Sequence, residues 1–291
     1  MSASHRRVPV ICAGLFGLLA GAGLTLSLPL TAQPPPVAIH APPAFKADSP
    51  VYRGLDANLY MQTAAEYRAC CYQAYNLATA RLKVNLAASN QDPSKSAVVM
   101  DLDETVIDNA GYQAMLLRSG LAHDDRLWDL WEEKYPQEVG LIPGAKDFIK
   151  AAEALKVTVV YISNRSETFR ASTEKALARL EISPKDPKCL KLKTTTSDKT
   201  DRRKETETAS AVLLYVGDNL RDFDERFVSP RITAAVKPVD AIKKRNDEVD
   251  LTRDAWGAKW IILPNPVYGE WMKPLGLGAK DLDQLVPPIG K

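Results

Sequence analysis

The distribution of apolar and polar residues divides much of the chain into short buried strands and longer amphipathic helices. Compact apolar runs rich in β-branched residues are typical of strands covered on both faces, and they occupy residues 97–100, 157–162, 211–216 and 260–263. Apolar residues at three-to-four spacing predict helices, and this pattern covers residues 55–86, 145–155, 167–180 and 200–209. Strands that alternate with helices predict an α/β fold, a Rossmann-like, doubly wound parallel sheet.

One long segment interrupts this alternation. Residues 110–139 lie between the first strand and the helix that leads to the second, and they are longer than a crossover requires. The segment is rich in aromatic residues, namely Tyr112, Trp128, Trp131 and Tyr135. We therefore predict a small helical cap insertion beside the functional site.

The amino-terminal part has the layout of an export signal. Arg6 and Arg7 precede an uncharged apolar stretch that runs from Val8 to about Leu30. Basic residues followed by an apolar core indicate a secretory signal peptide, although the stretch is also nearly long enough for an uncleaved membrane anchor. We assign residues 1–32 to one of these two, residues 33–50 to a proline-rich linker, and residues 51–291 to the folded domain. A buried first helix is the remaining alternative. The pattern predicts an exported protein, periplasmic or associated with the cell envelope, that meets the membrane only through this segment.

Composition narrows the function classes. A hydrophobic share of 45% and a charged share of 25% are typical of a globular protein. The net charge of +2 gives no strong field that would recruit a nucleic acid polymer. With three histidines and four cysteines, a metal centre built on oxygen ligands is favoured. A disulfide from Cys70 or Cys71 to Cys189, and three free thiols, both remain open.

Acidic residues follow the first and third strands, where an open parallel sheet binds its ligands. Asp101 and Asp103 come directly after the first strand, and their spacing directs both side chains to the same side of extended chain. Two such carboxylates repel each other unless a cation or a shared proton relieves them. A hard dication such as Mg²⁺ suits this site. Asp218 and Asp222 follow the third strand at a spacing of four, on one face if a helical turn begins there.

Hydroxyl and basic side chains complete the pattern. Ser163 follows the second strand and can donate to a phosphoryl oxygen, with the backbone N–H groups of Asn164 and Arg165 beside it. Lys199 lies between the second and third strands and can offset phosphoryl charge. Each signal alone has an ordinary structural explanation: a capping serine, a solvated lysine, or acids at a helix start.

These strand-end residues, in their order along the chain, resemble the pattern of the haloacid dehalogenase superfamily of phosphotransferases. The strings VVMDLDETVIDN at residues 98–109 and YVGDNLRDF at residues 215–223 narrow the resemblance. They are similar to the class C bacterial acid phosphatases, the group that includes the outer-membrane lipoprotein e nucleotidases. The similarity extends to residues 59–67, 162–165 and 263–271, and so spans about residues 55–271.

The resemblance implies a role for each strand-end residue. Asp101 would be the nucleophile that forms an aspartyl-phosphate and would also bind Mg²⁺. Asp103 would be the general acid and then the base, with its backbone carbonyl on the metal. Because Asp103 must be protonated when the alcohol leaves, a mildly acidic optimum is expected. Asp218 would be a metal ligand, and Asp222 would hold water bound to the metal or orient the loop. Ser163 and Lys199 would grip the phosphoryl group of a small phosphomonoester, such as a nucleoside 5′-monophosphate.

Other implied residues would contact the substrate. Trp128 and Tyr268 match the aromatic residues that clamp a nucleoside base, with core packing as the alternative. The remaining assignments to substrate binding are Asn109, Asn164 and Arg165.

Two departures from the family pattern leave questions open. The spacing from Lys199 to Asp218 is altered, so Lys193 or Lys204 could take the lysine role. Cys12 lies inside the apolar run after Ile11, a context that does not fit lipid attachment.

The same scaffold also suits a phosphotransferase or a non-enzymatic phosphate-binding, nucleotide-binding or storage protein. Assembly into a homo-oligomer also remains open.

Overall fold

A five-stranded parallel sheet forms the centre of the domain. The structure is a computed structural model that describes residues 54–233 and 235–275. The sheet has the order β5-β4-β1-β6-β7, and its strands are β1 (Ser96–Met100), β4 (Thr158–Ser166), β5 (Leu190–Lys193), β6 (Ala211–Gly217) and β7 (Trp260–Ile262). This topology confirms the predicted fold class. The predicted signal or anchor and the proline-rich linker lie outside the described residues.

Helices connect and cover these strands. Their bounds are α1 (Leu55–Thr63), α2 (Ala65–Ser89), α3 (Ala110–Ser119), α4 (Asp125–Lys134), α5 (Ala145–Ala154), α6 (Arg170–Arg179), α7 (Thr200–Ala209) and α8 (Pro238–Leu251). In the part of the chain that is described, none of the helices has the length and apolar character that crossing a membrane requires.

Alternate residues of β1 enter two separate apolar clusters, one on each face of the sheet. Val98 and Met100 pack in a large cluster with Tyr75 and Leu82 of α2, whereas Ala97 and Val99 pack in a smaller cluster. The smaller cluster also contains Val160, Ile162, Tyr215, Phe223 and Phe227. Because both faces are buried, β1 reads in the sequence as a continuous apolar run.

The helix expected over residues 55–86 is two helices. Ala64 has an extended backbone, with ψ at 128°, and separates α1 from α2. The hydroxyl of Thr63 donates to the carbonyl oxygen of Leu59 at 2.7 Å, a local bond that competes with continued helical geometry. No proline or glycine marks this break in the sequence, which explains why spacing alone predicted one helix.

The aromatic-rich segment is enclosed by a two-stranded antiparallel sheet. β2 (Ile107–Asp108) pairs with β3 (Gly140–Leu141), and α3 and α4 lie between them in the chain. Both ends of the segment are therefore held close to the end of β1. The strands β2, β3 and β5 and the helix α8 were not predicted, because two to four residues are too few to show a period and α8 is mostly polar.

The three cysteines of the domain are free thiols. Cys70 is exposed, Cys71 is buried and Cys189 is half-buried. Of the two alternatives that the sequence left open, the structure has the one without a disulfide.

The contact of α2 with the sheet gives a stability prediction. Leu82 is fully buried, whereas Leu77, on the same helix, is 40% exposed. Leu82→Ala removes packed methyl groups and should lower the free energy of unfolding by about 2–5 kcal/mol. Urea denaturation followed by circular dichroism measures this change. Leu77→Ala is the matched control, and an equal loss in both variants would contradict the packing described here.

Candidate active site

The site lies where the chain reverses its direction across the sheet. From β1 the chain moves outward to β4 and β5, then returns to the other side of β1 to form β6 and β7. The connections that leave β1 and β6 therefore diverge and open a crevice at the carboxyl ends of these strands, where α/β proteins bind their ligands. Asp101 and Asp218 each follow one of these two strands.

Lys199 joins two of the predicted acids. Its ammonium group donates to Asp101 Oδ1 at 2.6 Å and to Asp222 Oδ1 at 2.7 Å. The lysine side chain is 4% exposed, so its charge acts at short range in a largely dry environment. Lys204 is exposed on α7, so among the proposed lysines Lys199 is the one found between the acids.

Asp218 completes a group of three carboxylates. Oxygen atoms from Asp101, Asp218 and Asp222 lie within 4.8 Å of one another. Asp218 is held on both oxygens, because Thr105 Oγ1 donates to Oδ1 at 3.0 Å and Asn265 Nδ2 donates to Oδ2 at 2.8 Å. Three carboxylate oxygens at this spacing have the chemistry of a site for a hard divalent cation.

A sharp turn after β6 brings Asp222 back to the strand end. Asp222 Oδ2 accepts the backbone N–H of Asn219 at 2.9 Å, and Asn219 caps the short 3₁₀ turn that follows. A Cβ atom on Gly217 would lie 2.5 Å from the side chain of Asp222. Glycine is required at this position because the Asp222 carboxylate packs directly over its backbone.

Asp103 has a different set of partners from Asp101. Its Oδ1 accepts Arg165 Nε at 2.8 Å and Asn109 Nδ2 at 2.9 Å. Its Oδ2 lies 3.4 Å from the Ser163 hydroxyl. The two acids thus share the end of β1 while each is bonded to its own cationic side chain.

Strand β4 supplies three of the predicted site residues. Ser163 is buried within β4, and its hydroxyl oxygen accepts the backbone N–H of Arg165 at 3.1 Å. Asn164 donates to Ser197 O at 3.1 Å and accepts Arg202 Nη2 at 2.8 Å. Arg165 is buried against Asp103. Contact of these residues with a substrate stays a prediction.

The two predicted aromatic contacts lie at the surface around the crevice. Trp128 is half-buried on α4, packs edge-on against Tyr112 with ring centroids 5.1 Å apart, and lies 5.7 Å from the guanidinium carbon of Arg165. Tyr268 is also half-buried, and its hydroxyl donates to Glu104. Trp128 also packs against the large apolar cluster, and contact of either ring with a substrate stays a prediction.

Burial dominates the electrostatics of the acid group. It raises the pKa of Asp101 well above the ordinary value; Lys199 opposes this shift, and Asp222, Asp218 and Asp103 add to it. Burial and the charge of Asp222 raise the pKa of Asp218 to about 7, against the hydrogen bonds from Asn265 and Thr105. The acids therefore repel one another, and the positive charge of Lys199 only partly offsets this repulsion.

Several residues that support the site were not identified from the sequence. Thr105 and Asn265 hold Asp218, Glu104 accepts the backbone N–H of Asn109 at 3.1 Å, and Arg202 holds Asn164. Glu104, Thr105 and Asn265 stand inside the strings that resemble the family. Their own residue types carry no signal that separates them from ordinary loop residues.

Comparison with known proteins places this chain among the phosphatases of the haloacid dehalogenase superfamily. A family model described as haloacid dehalogenase superfamily, subfamily IIIB (acid phosphatase), matches residues 48–271. This match covers more than half of the sequence, so the chain belongs to that acid phosphatase family.

Solved structures agree with the assignment. The class C acid phosphatase from Bacillus anthracis is 34% identical, with a TM-score of 0.67, over 78% of this chain and 89% of that one. A structure of the class C acid phosphatase from the same organism with tungstate bound is 30% identical, with a TM-score of 0.69, over 82% of this chain and 99% of that one. The predicted class C family and phosphatase activity are confirmed, and the protein is an enzyme that hydrolyses phosphomonoesters.

The lysine bridge gives a prediction about stability and pH. Lys199→Met leaves two buried carboxylates facing each other without their cation, and loss of one partner of such a pair costs about 3–5 kcal/mol. We expect the free energy of unfolding to fall by this amount at neutral pH and without divalent cations, as measured by urea denaturation. The loss should shrink as the pH falls, because the repulsion raises the pKa of an acid in the folded state, and protonation then favours folding.

The exposed Lys204 supplies the control. Lys204→Met should change the free energy of unfolding by less than about 0.5 kcal/mol. A Lys199→Met protein as stable as the wild type at neutral pH would show that the bridge contributes nothing to the fold.

Proposed function

We propose that this protein is an exported, Mg²⁺-dependent acid phosphatase that acts through an aspartyl-phosphate on Asp101. The observation that carries the proposal is the bridge from Lys199 to Asp101 and Asp222, beside Asp218 at the reversal of the sheet. A nucleophilic carboxylate that attacks an anionic ester needs nearby positive charge. Lys199 supplies one charge, and the acid group offers a place for a second.

The donor set fits a magnesium ion. Asp101 and Asp218 are the proposed carboxylate ligands, the backbone carbonyl of Asp103 is the proposed third protein ligand, and Asp222 would hold water in the ion's shell or orient the loop. These are hard oxygen donors, and the neighbouring carboxylates lie within reach of one another. When bound, the ion would neutralise charge on the phosphoryl oxygens as a Lewis acid.

The reaction is proposed to have two displacements at phosphorus. In the first, an Asp101 oxygen forms a bond to phosphorus while the bond to the leaving alcohol breaks, and Asp103 donates a proton to the departing oxygen. In the second, water attacks the aspartyl-phosphate, Asp103 takes the water's proton, and the bond to Asp101 breaks. Lys199 and Ser163 are proposed to hold the phosphoryl oxygens through both steps.

An oxyanion bound in a relative supports the proposal of a phosphate-containing substrate. The similar class C acid phosphatase from Bacillus anthracis has been solved with tungstate bound. Tungstate, like phosphate, is a tetrahedral oxyanion. In this chain, Lys199 and Ser163 would hold the equivalent group.

Nucleoside 5′-monophosphates are the proposed substrates. The proposal rests on Trp128 and Tyr268, two half-buried aromatic residues, because an aromatic ring that is not fully buried can stack on a base. Export is proposed from the basic start and apolar run of residues 1–32.

Metal dependence and the nucleophile can be tested together. Release of p-nitrophenol from p-nitrophenyl phosphate at mildly acidic pH should require Mg²⁺ and stop on addition of EDTA. Asp101→Asn should reduce kcat at least about 10³-fold while the circular dichroism spectrum is retained, because the covalent route is removed. Asp147→Asn, an exposed acid on α5, is the control. Chelator-resistant turnover, or an active Asp101→Asn enzyme, would contradict the proposal.

The support of Asp218 gives a prediction for metal affinity. Asn265→Ala removes the donor to Asp218 Oδ2, and loss of a partner that orients a metal ligand typically weakens binding about 10- to 100-fold. Calorimetric titration with Mg²⁺ measures this directly, and the concentration of Mg²⁺ for half-maximal activity should rise in parallel. Asn246→Ala, at an exposed position on α8, should leave both unchanged. Unaltered affinity in Asn265→Ala would remove Asp218 as a ligand.

A further inference from the structure

Arg165 and Asn109 together enclose one oxygen of Asp103. Arg165 Nε donates to Asp103 Oδ1 at 2.8 Å, and Asn109 Nδ2 donates to the same oxygen at 2.9 Å. Arg165 Nη2 also donates to Asn109 Oδ1 at 3.0 Å, which closes a ring of three side chains. We call Arg165 and Asn109 the Asp103 clamp.

The clamp is itself held from several sides. Trp131 Nε1, on α4 of the inserted segment, donates to Asn109 Oδ1 at 3.0 Å. Glu104 Oε1 accepts the backbone N–H of Asn109. Arg165 Nη2 and Trp131 Nε1 both donate to the side-chain oxygen of Asn109. Buried networks in which every polar group has a partner restrict their members to one geometry.

The bonds of the clamp are directed at Asp103. Arg165 is 1% exposed and Asn109 is fully buried, whereas the Asp103 side chain is 13% exposed. The Nε and Nη2 groups of Arg165 are both bonded within the ring, to Asp103 and Asn109, so the arginine is positioned to act on Asp103. Two donors already occupy Oδ1, so Oδ2, with the Ser163 hydroxyl 3.4 Å away, is the oxygen that remains available.

We propose that Arg165 and Asn109 are positioning residues that fix the Asp103 carboxylate with Oδ2 towards the leaving oxygen of the substrate. This inference rests on the proposed role of Asp103 as the general acid and base. The proton carried on Oδ2 passes to the leaving oxygen as its bond to phosphorus breaks, and Oδ2 then takes a proton from the attacking water. Trp131 ties this geometry to the inserted segment.

The test depends on how much the leaving group needs a proton. An alkoxide is a poor leaving group and requires the general acid, whereas p-nitrophenolate leaves readily without it. General acid catalysis contributes about 10²–10⁴-fold, so a misplaced acid should slow glycerol 2-phosphate far more than p-nitrophenyl phosphate. We expect Arg165→Met to lower kcat/KM for glycerol 2-phosphate at least about 10-fold more than for p-nitrophenyl phosphate.

Matched variants separate positioning from general damage. Arg202→Met removes a nearby, partly buried guanidinium that bonds Ser163 O and Asn164 and not Asp103, and it should alter kcat/KM for both substrates by the same factor. Arg165→Lys keeps the charge and should recover part of the kcat/KM for glycerol 2-phosphate that Arg165→Met loses. Trp131→Phe removes only the indole donor to Asn109. It should also lower kcat/KM more for glycerol 2-phosphate than for p-nitrophenyl phosphate, by a smaller factor, which keeps the test available if Arg165→Met does not fold.

Each result decides the proposal. A selective loss with glycerol 2-phosphate in the Arg165 and Trp131 variants, absent in Arg202→Met, supports positioning of Asp103. An equal loss for both substrates in these variants would falsify it and leave Arg165 a structural residue. If the wild-type enzyme itself hydrolyses neither substrate in the presence of Mg²⁺, the proposed function is overturned, and this inference with it.

Discussion

Mutual repulsion among buried carboxylates is the constraint on which the site depends. Asp101, Asp218 and Asp222 are brought within 4.8 Å by the ends of two neighbouring parallel strands, a region where burial already disfavours charge. Lys199 bonds two of the three and offsets part of this repulsion. Such an arrangement lowers the stability of the fold relative to an apolar core, and it suits a reaction of an anionic phosphate ester, which needs positive charge around it.

The pair at the end of β1 shows how one strand can supply two chemical roles. Asp101 and Asp103 are separated by one residue, yet Asp101 is bonded to Lys199 and Asp103 to Arg165. Lys199 lies beside the cluster of oxygens, whereas Arg165 is buried behind Asp103. The same residue type is thereby placed in two environments, which match the two proposed roles of nucleophile and metal ligand for Asp101 and of proton donor and acceptor for Asp103.

The inserted segment is connected to the reacting groups by specific contacts. β2 and β3 fix its two ends next to β1, and the Trp131 indole bonds Asn109, which bonds Asp103. Trp128 of the same helix packs near Arg165. The segment that is proposed to contact the leaving group of the substrate is therefore also the segment that supports the proposed acid.

The sequence alone determined the α/β class, four of the five central strands and the residues at their carboxyl ends, because buried parallel strands are continuous apolar runs and ligand groups follow them directly. It also identified Lys199, although it left Lys193 and Lys204 as alternatives. The tertiary structure decided which lysine meets the acids, that Asp103 turns to Arg165, and that Thr105 and Asn265 hold Asp218. Local patterns could not supply these facts, because the contacts join residues 23 to 113 positions apart in the chain and depend on side-chain directions that have no periodic signature.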